Sequence, residues 1–448
     1  MKDSDSRRAV MPGAITGKIQ IRGGRCSLLA AGLIMVMGLS PQPVSAYPGF
    51  GKRMNPQLTQ SCSTCHVIFP KLTAYGRSIR EMGYNVPVYE GNYGGVNRLY
   101  HIIPAALRGK VEIASDTAGG EATVKELQLL SAGNLWKNRL SWWFHKHVME
   151  DNEIVSLTEG LPHESWLQFN ASDALHVRVG MSELPLWFSP SKTKVSEIEY
   201  LYYGATTNPE NAGSLFSPQF GIQVNGHFAQ PSGQDIWAEE DERDYSRGYN
   251  YALAITNGET SFTGVPSTLF ARITRKDPRY SAGLFAIAGW KKVEQTAHDE
   301  DHAEETASTT DLYARIGLDG DIYLVGNAVN VFGSAAYGKD FQRDFVGGFL
   351  GYEHLFLNRF LVSTRFDLVE FLTEEPPGEG DHHAHVDDHN GGGHEGGHLH
   401  GAVITDSASS LSVTLCYLFF NNLRVNADYR YGFYGIGNTG TLQLQFAF

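Results

Sequence analysis

The sequence predicts an all-β fold, a 16-stranded antiparallel transmembrane β-barrel behind a small helical N-terminal segment, and three observations point to it. The chain ends Thr441-Leu442-Gln443-Leu444-Gln445-Phe446-Ala447-Phe448, apolar residues alternating with polar or small ones up to a terminal aromatic. That period is that of a strand with one apolar and one polar face. From residue 105 onward the same alternation recurs in 16 segments. The chain also opens with the layout of an export signal, and no apolar run of membrane-helix length follows Ala46. An exported chain that spans a membrane without such helices must close its strands into a barrel.

Residues 1–46 are the signal peptide. Lys2, Arg7, Arg8, Lys18, Arg22 and Arg25 form its basic region, Ser27 to Leu39 its apolar stretch, and Val44-Ser45-Ala46 its cleavage site. Arg7-Arg8 lies far from the apolar stretch, which favours the general secretory route over twin-arginine export. The whole chain has 36 Lys+Arg against 49 Asp+Glu, a net charge of −13. Removing 1–46 takes away six basic residues and two acidic ones, so the mature net charge is −13 − 4, or −17. Such a surface excludes nucleic acid as a partner and suits cationic ligands.

Residues 47–104 form a separate unit around Cys62-Ser63-Thr64-Cys65-His66. The C-x-x-C-H spacing lets both thiols add to the vinyl groups of one porphyrin while His66 supplies the proximal iron ligand. The motif therefore predicts one covalent haem c. A thioredoxin-like pair would need a βαβ setting, which is absent, and a zinc ribbon would need a second ligand pair. Cys26 leaves with the signal and Cys416 stands far off, so no disulfide framework is expected. A helix is expected from Thr59 to Phe69, ended by Pro70. A second follows, with Leu72, Tyr75, Ile79 and Met82 on one face, Arg77 and Arg80 on the other, and Gly83 as its stop. Met82, Met54 and His101 are the candidates for the sixth iron ligand, and packing is the competing role for Met82. Arg77 and Arg80 are candidates to pair with haem propionates, or else are solvated helix charges. So small a unit buries little surface of its own. It is expected to lean on the barrel, entering the lumen from the periplasmic side as a plug.

Cys62, Cys65, His66, Phe69-Pro70, Leu72, Gly76-Arg77 and Gly83-Tyr84 together resemble the fused outer-membrane monohaem cytochrome–porins, the iron-oxidising outer-membrane cytochromes c. The likeness covers about 30 residues. Tyr75 stands where that family has Phe, and Ile79-Arg80 where Phe-Lys is common. The resemblance implies an oxidoreductase in the bacterial outer membrane that takes electrons from extracellular Fe(II) or another external donor. A periplasmic c-type cytochrome would be the acceptor. No catalytic residue beyond the haem is then required.

Residues 105–448 are the barrel, embedded in outer-membrane lipid. The expected strands lie near 105–115, 123–132, 139–149, 164–171, 175–183, 218–228, 248–256, 266–275, 280–291, 308–317, 321–336, 341–355, 358–371, 404–418, 422–434 and 440–448. Leu423, Val425, Ala427, Tyr429, Tyr431 and Phe433 alternate with Arg424, Asn426, Asp428 and Arg430. A β-sandwich would bury the apolar face, whereas a membrane barrel turns it to lipid and keeps the charges in a wet lumen. With both termini periplasmic, the long connections 150–163, 184–217, 292–307 and 372–403 fall outside. Short turns near Gly317-Asp321 and Phe356-Asn358 fall inside. The connection 229–247, with Ala238-Glu239-Glu240-Asp241-Glu242-Arg243, is long on the wrong side and marks either a missed strand or a periplasmic role.

The outer loop 372–403 carries His382, His383, His385, His389, His394, His398 and His400 among acidic residues and glycines. A shorter loop has His298, His302 and five carboxylates between Asp299 and Glu305. Imidazole with carboxylate suits Fe(II), Zn, Cu or Ni, so a loop-bound divalent metal is one reading and a solvated surface loop the other. His145 and His147 share a face with Trp143 and are expected at the lumen, where lining polarity and ligation are the two readings. The alternative function is a porin or metal-uptake channel in which the haem is structural or regulatory. A third is a component of a larger conduit with multihaem partners.

Overall fold

The computed structural model describes residues 66–68, 71–72, 74–81 and 83. From 105 to 447 it describes all but 117–118, 136–138, 156–162, 190–194, 206–214, 216, 230–246, 259–265, 297–305, 326–327, 341–342, 358, 373–406 and 421–422. A two-stranded hairpin, β1 (His66–Ile68) and β2 (Lys71–Leu72), leads into the helix α1 (Ala74–Glu81). The wall follows as β3 (Ala105–Asp116), β4 (Gly119–Leu135), β5 (Leu140–Glu150), the short β6 (Glu153–Ile154), β7 (Glu164–Ser172), β8 (Leu175–Ser182) and β9 (Gln219–Ala229). It continues through β10 (Gly248–Thr256), β11 (Thr268–Asp277), β12 (Tyr280–Thr296), β13 (Thr306–Val325), β14 (Val329–Asp340) and β15 (Arg343–Phe356). It closes with β16 (Phe360–Phe371), β17 (Ala408–Phe420), β18 (Leu423–Tyr434) and β19 (Thr439–Ala447).

Each strand pairs antiparallel with its neighbour in sequence, and β19 returns to β3 through Leu444↔Val111 and its flanking pairs. β5 also pairs directly with β7, so β6 is an extension of one hairpin and the closed wall has 16 strands. Closure leaves no unpaired edge, the condition for a sheet in hydrocarbon.

Hydropathy is inverted relative to a soluble fold. On β13, Leu312, Ile316, Leu318, Ile322 and Leu324 are exposed, while Arg315, Asp319 and Asp321 between them are buried. On β18, Arg424, Asn426 and Asp428 are at most 3% exposed, and Tyr429, Tyr431 and Phe433 are about half exposed. Apolar residues face outward and ion pairs inward, as in a membrane-spanning barrel. Among the described residues no helix is long and apolar enough to cross a membrane.

Four sequence expectations are corrected. No turn interrupts Gly317–Asp321: β13 runs through it to Val325, which pairs with Val329 at the start of β14. Asp319, Gly320 and Asp321 resemble turn residues, but the two aspartates face the lumen. Residues 66–68 are extended rather than helical, with His66 opposite Leu72. Val67 and Ile68 are β-branched and favour that state. Leu72 therefore belongs to β2, and the helix begins two residues later. It ends at Gly83, which adopts φ +67° and donates its N–H to the Arg80 carbonyl. Finally, the first part of the connection 184–217 does not project outward but folds into the lumen. Between β9 and β10 no strand is missing from the wall, since Ala229 pairs directly with Gly248.

Candidate functional site: the barrel lumen

Two pieces of chain occupy the lumen, and the sequence explains the first. Residues 183–189 and 195–205, a strap between β8 and β9, are rich in large apolar side chains that cannot stay in water. Trp187, Phe188, Tyr200, Leu201, Tyr202 and Tyr203 pack against Phe285, Phe332, Phe345, Phe349 and Phe371, which face inward from the wall. Tyr200 stacks on Phe349 at 4.2 Å between ring centres. The strap's polar groups find wall partners. Trp187 Nε1 donates to Asp321 (3.2 Å), Ser196 to Asp428 (2.9 Å), and the Leu201 N–H to Asp367 (3.4 Å). Arg365 donates to the carbonyls of Ile198 (2.9 Å) and Glu199 (2.6 Å), and Arg315 to that of Ala205 (2.6 Å). Glu197 meets Lys110 at 2.8 Å and Arg424 at 3.5 Å. Burial pushes the Tyr200, Tyr202 and Tyr203 phenols well up, so they stay neutral donors.

The second piece is α1 with its preceding hairpin. Arg77 donates to Asp321 (3.0 Å) and Tyr323 (3.3 Å), and its guanidinium lies 4.6 Å from the Trp187 ring centre. Arg80 pairs with Glu183 at 3.1 Å, and Lys71 with Glu353. Glu81 accepts from Lys276 and Asn250, while the Glu81 carbonyl accepts from Asn225 (2.8 Å). Burial alone would raise the Glu81 carboxyl, but the Lys276 ammonium overrides it and holds the group below its ordinary value. These partners sit near the barrel end at which β11 turns into β12, β13 into β14 and β15 into β16.

Between the helix, the strap and the wall lies a cleft with roughly 990 Å³ of empty space, part of it open to solvent. Trp143, Trp166 and Trp187 line it with Arg77, Arg178 and Arg272. Its flat apolar rings and guanidinium groups set stacking surfaces and anion donors side by side. Arg178 covers the Trp166 ring at 4.0 Å and also donates to Gln168 (2.9 Å).

Toward the opposite, long-connection end, the His145, His147 and His163 rings form a triangle. Ring centres are 5.2 Å apart for His145–His147, 4.8 Å for His145–His163 and 5.1 Å for His147–His163. His145 and His147 alternate with Trp143 on the inward face of β5, as the sequence expected. His163 was missed, because a loop histidine shows its neighbours only once β5 and β7 pair. Beside the triangle, Glu164 accepts from Trp143 Nε1 (2.9 Å) and from the Glu183 N–H (3.1 Å), tying wall to strap. Among the described residues no group of three His, Cys, Asp or Glu side chains stands ready to hold a metal.

Of the residues expected at the haem, His66, Arg77 and Arg80 are described. His66 opens β1 and is partly buried, and the two arginines are ion-paired rather than solvated, Arg77 to the lumen wall and Arg80 to the strap. Cys62, Cys65, Met82, Met54 and His101 lie outside the described residues, as do His382, His383, His385, His389, His394, His398 and His400. Cys416 is free and buried against Leu361 and Val195.

No protein-family model and no curated protein matches the chain. Solved structures similar to it include the outer membrane channel DcaP of Acinetobacter baumannii, with 12% identity, a TM-score of 0.46, and coverage of 77% of this chain and 97% of that one. OmpT, an outer membrane protein of Vibrio cholerae, gives 9%, 0.48, 77% and 97% in the same order. Salmonella typhi OmpF gives 10%, 0.46, 77% and 97%.

Proposed function

We propose that this chain is an outer-membrane cytochrome–porin fusion, an oxidoreductase that takes electrons from extracellular Fe(II) and delivers them to a periplasmic c-type cytochrome. Haem c, held by Cys62, Cys65 and His66, would supply the one-electron couple. The observation that supports the reading best is the seating of α1. Beginning only eight residues after His66, this helix is bonded to the lumen wall through Arg77–Asp321 and Glu81–Lys276. A group attached just before it therefore has short access to the barrel interior, where the cleft offers aromatic and guanidinium neighbours. The chain's own work is positional. The strap and helix narrow the polar lumen, and Asp321 ties both to β13. Arg77 and Arg80 already have carboxylate partners, as Arg272 has in Asp319, so Arg178 joins them as a candidate for the propionates. The His-rich loop 372–403 would gather cations at the outer mouth.

Anaerobic mixing of the purified full chain with Fe(II) at neutral pH tests this. The haem α-band should sharpen, and His66→Ala should abolish the haem spectrum altogether. A haem that stays oxidised in protein whose liposomes leak ions readily would replace the proposal with the second reading, a channel for small cations. That reading draws on the polar lumen itself.

A further inference from the structure

We propose that His145, His147 and His163 form a three-imidazole site for a divalent first-row transition ion, on the lumen wall near the long-connection end. The spacing is the first reason. A metal–nitrogen bond of about 2.0–2.1 Å puts each imidazole centre roughly 3.2 Å from the ion. Three such rings at mutual angles of roughly 90–110° have centres about 4.5–5.2 Å apart. The three observed separations, 4.8, 5.1 and 5.2 Å, all fall in that window.

Protonation is the second reason. Gln128 Nε2 donates to Glu126, which fixes the orientation of the amide, and lies 3.1 Å from His147 Nε2. An amide nitrogen only donates, so His147 Nε2 holds a lone pair and the ring proton sits on Nδ1. Nδ1 faces Glu150 at 3.4 Å. A carboxylate behind the distal nitrogen, with the other nitrogen unprotonated, is the support that ligating histidines receive.

Third, the neighbourhood compensates cationic charge: Glu126 lies 3.9 Å from His147 Nε2, and the register sets Glu164 opposite His145. The rings are not yet in a metal-holding arrangement. Binding therefore turns the rings about χ2 and displaces the Gln128 N–H from His147 Nε2. Neutral imidazoles with nearby carboxylate select Zn²⁺, Cu²⁺, Ni²⁺ or Fe²⁺ over Mg²⁺ and Ca²⁺. The site rests on the wall and one adjoining loop residue, not on the haem, and stands under either functional reading.

Calorimetric titration of the detergent-solubilised full chain with Zn²⁺ at neutral pH tests it. The wild type should show one tight equivalent, kept when residues 381–400 are deleted. His163→Ala should weaken that equivalent by more than about 100-fold and Glu150→Gln by about 10-fold, because orienting carboxylates are worth that factor. His163 lies outside the strands, so barrel assembly should survive its loss. Glu150→Gln supplies the same reading with the side-chain shape retained. The proposal is overturned if no tight equivalent exists, if it persists in His163→Ala and His145→Ala, or if it disappears with 381–400.

Discussion

The two faces of β13 meet different surroundings, and the contrast explains the molecule. Outward, Leu312, Ile316, Leu318 and Ile322 face one uniform medium, so any apolar side chain of moderate size serves. Inward, Arg315, Asp319, Asp321 and Tyr323 each face a particular partner: the strap carbonyl of Ala205, Arg272, then Arg77 with Trp187, then Arg77 again. Lipid reads only a pattern, whereas the lumen reads individual atoms. Substitutions outside should therefore act through depth and polarity, and substitutions inside through the loss of one named contact.

The largest expected effect is inside. Asp321→Ala leaves the Arg77 guanidinium without its carboxylate at a nearly closed site and should cost about 3–5 kcal/mol of helix docking. Limited proteolysis should then cut the N-terminal segment while the barrel keeps its assembled gel mobility. Intact protection would sink the view that α1 is fixed by individual lumen contacts. On the other face, Ile316→Arg should cost about 2–4 kcal/mol if that position lies near mid-membrane. Its readout is barrel stability in a lipid titration with denaturant, and tolerance of the arginine would break the contrast. Tyr202→Phe removes the hydroxyl paired with Ser334 at 2.6 Å and should loosen the strap by about 1 kcal/mol, measured by hydrogen exchange at 195–205.

The smallest effect is a pH dependence. Glu81 has a lower pKa docked than free, so its contribution is fully present well above its ordinary 4.5. It fades as the pH falls through that value toward the docked one. Protection of α1 should thus be flat at neutral pH and decline on acidification, and Glu81→Gln should flatten the decline.

The same contrast says what the sequence discloses. The wall was legible because its outer face has period two and no other constraint, and the count of 16 strands, the closure and the inward set on β18 follow from it, though the expected strand 321–336 straddled the end of β13 and the start of β14. Asp319-Gly320-Asp321 misled, because the residues that make turns in water are those a lumen uses for ion pairs. The strap misled in the opposite way. Trp187-Phe188 and Leu201-Tyr202-Tyr203 are too apolar for an outer loop, a signal that was present but outweighed by the length of the connection. Likewise α1 has an amphipathic pattern, yet Arg77 and Arg80 are engaged as fully as Ile79 is buried, since a polar lumen surrounds both faces. His163 carried no local mark beyond a histidine ahead of a strand. Strand pairing alone brought it to β5.

The seat of α1 has a further consequence, for the order of assembly. Its partners come from β9, β10, β11, β13 and the strap, with β15 held by Lys71 of the preceding hairpin, so the seat does not exist until most of the wall has formed around it. The stretch that leaves the ribosome ahead of every wall strand is thus the last to settle. Until then it must wait, tethered and unhoused, while the cylinder is built behind it.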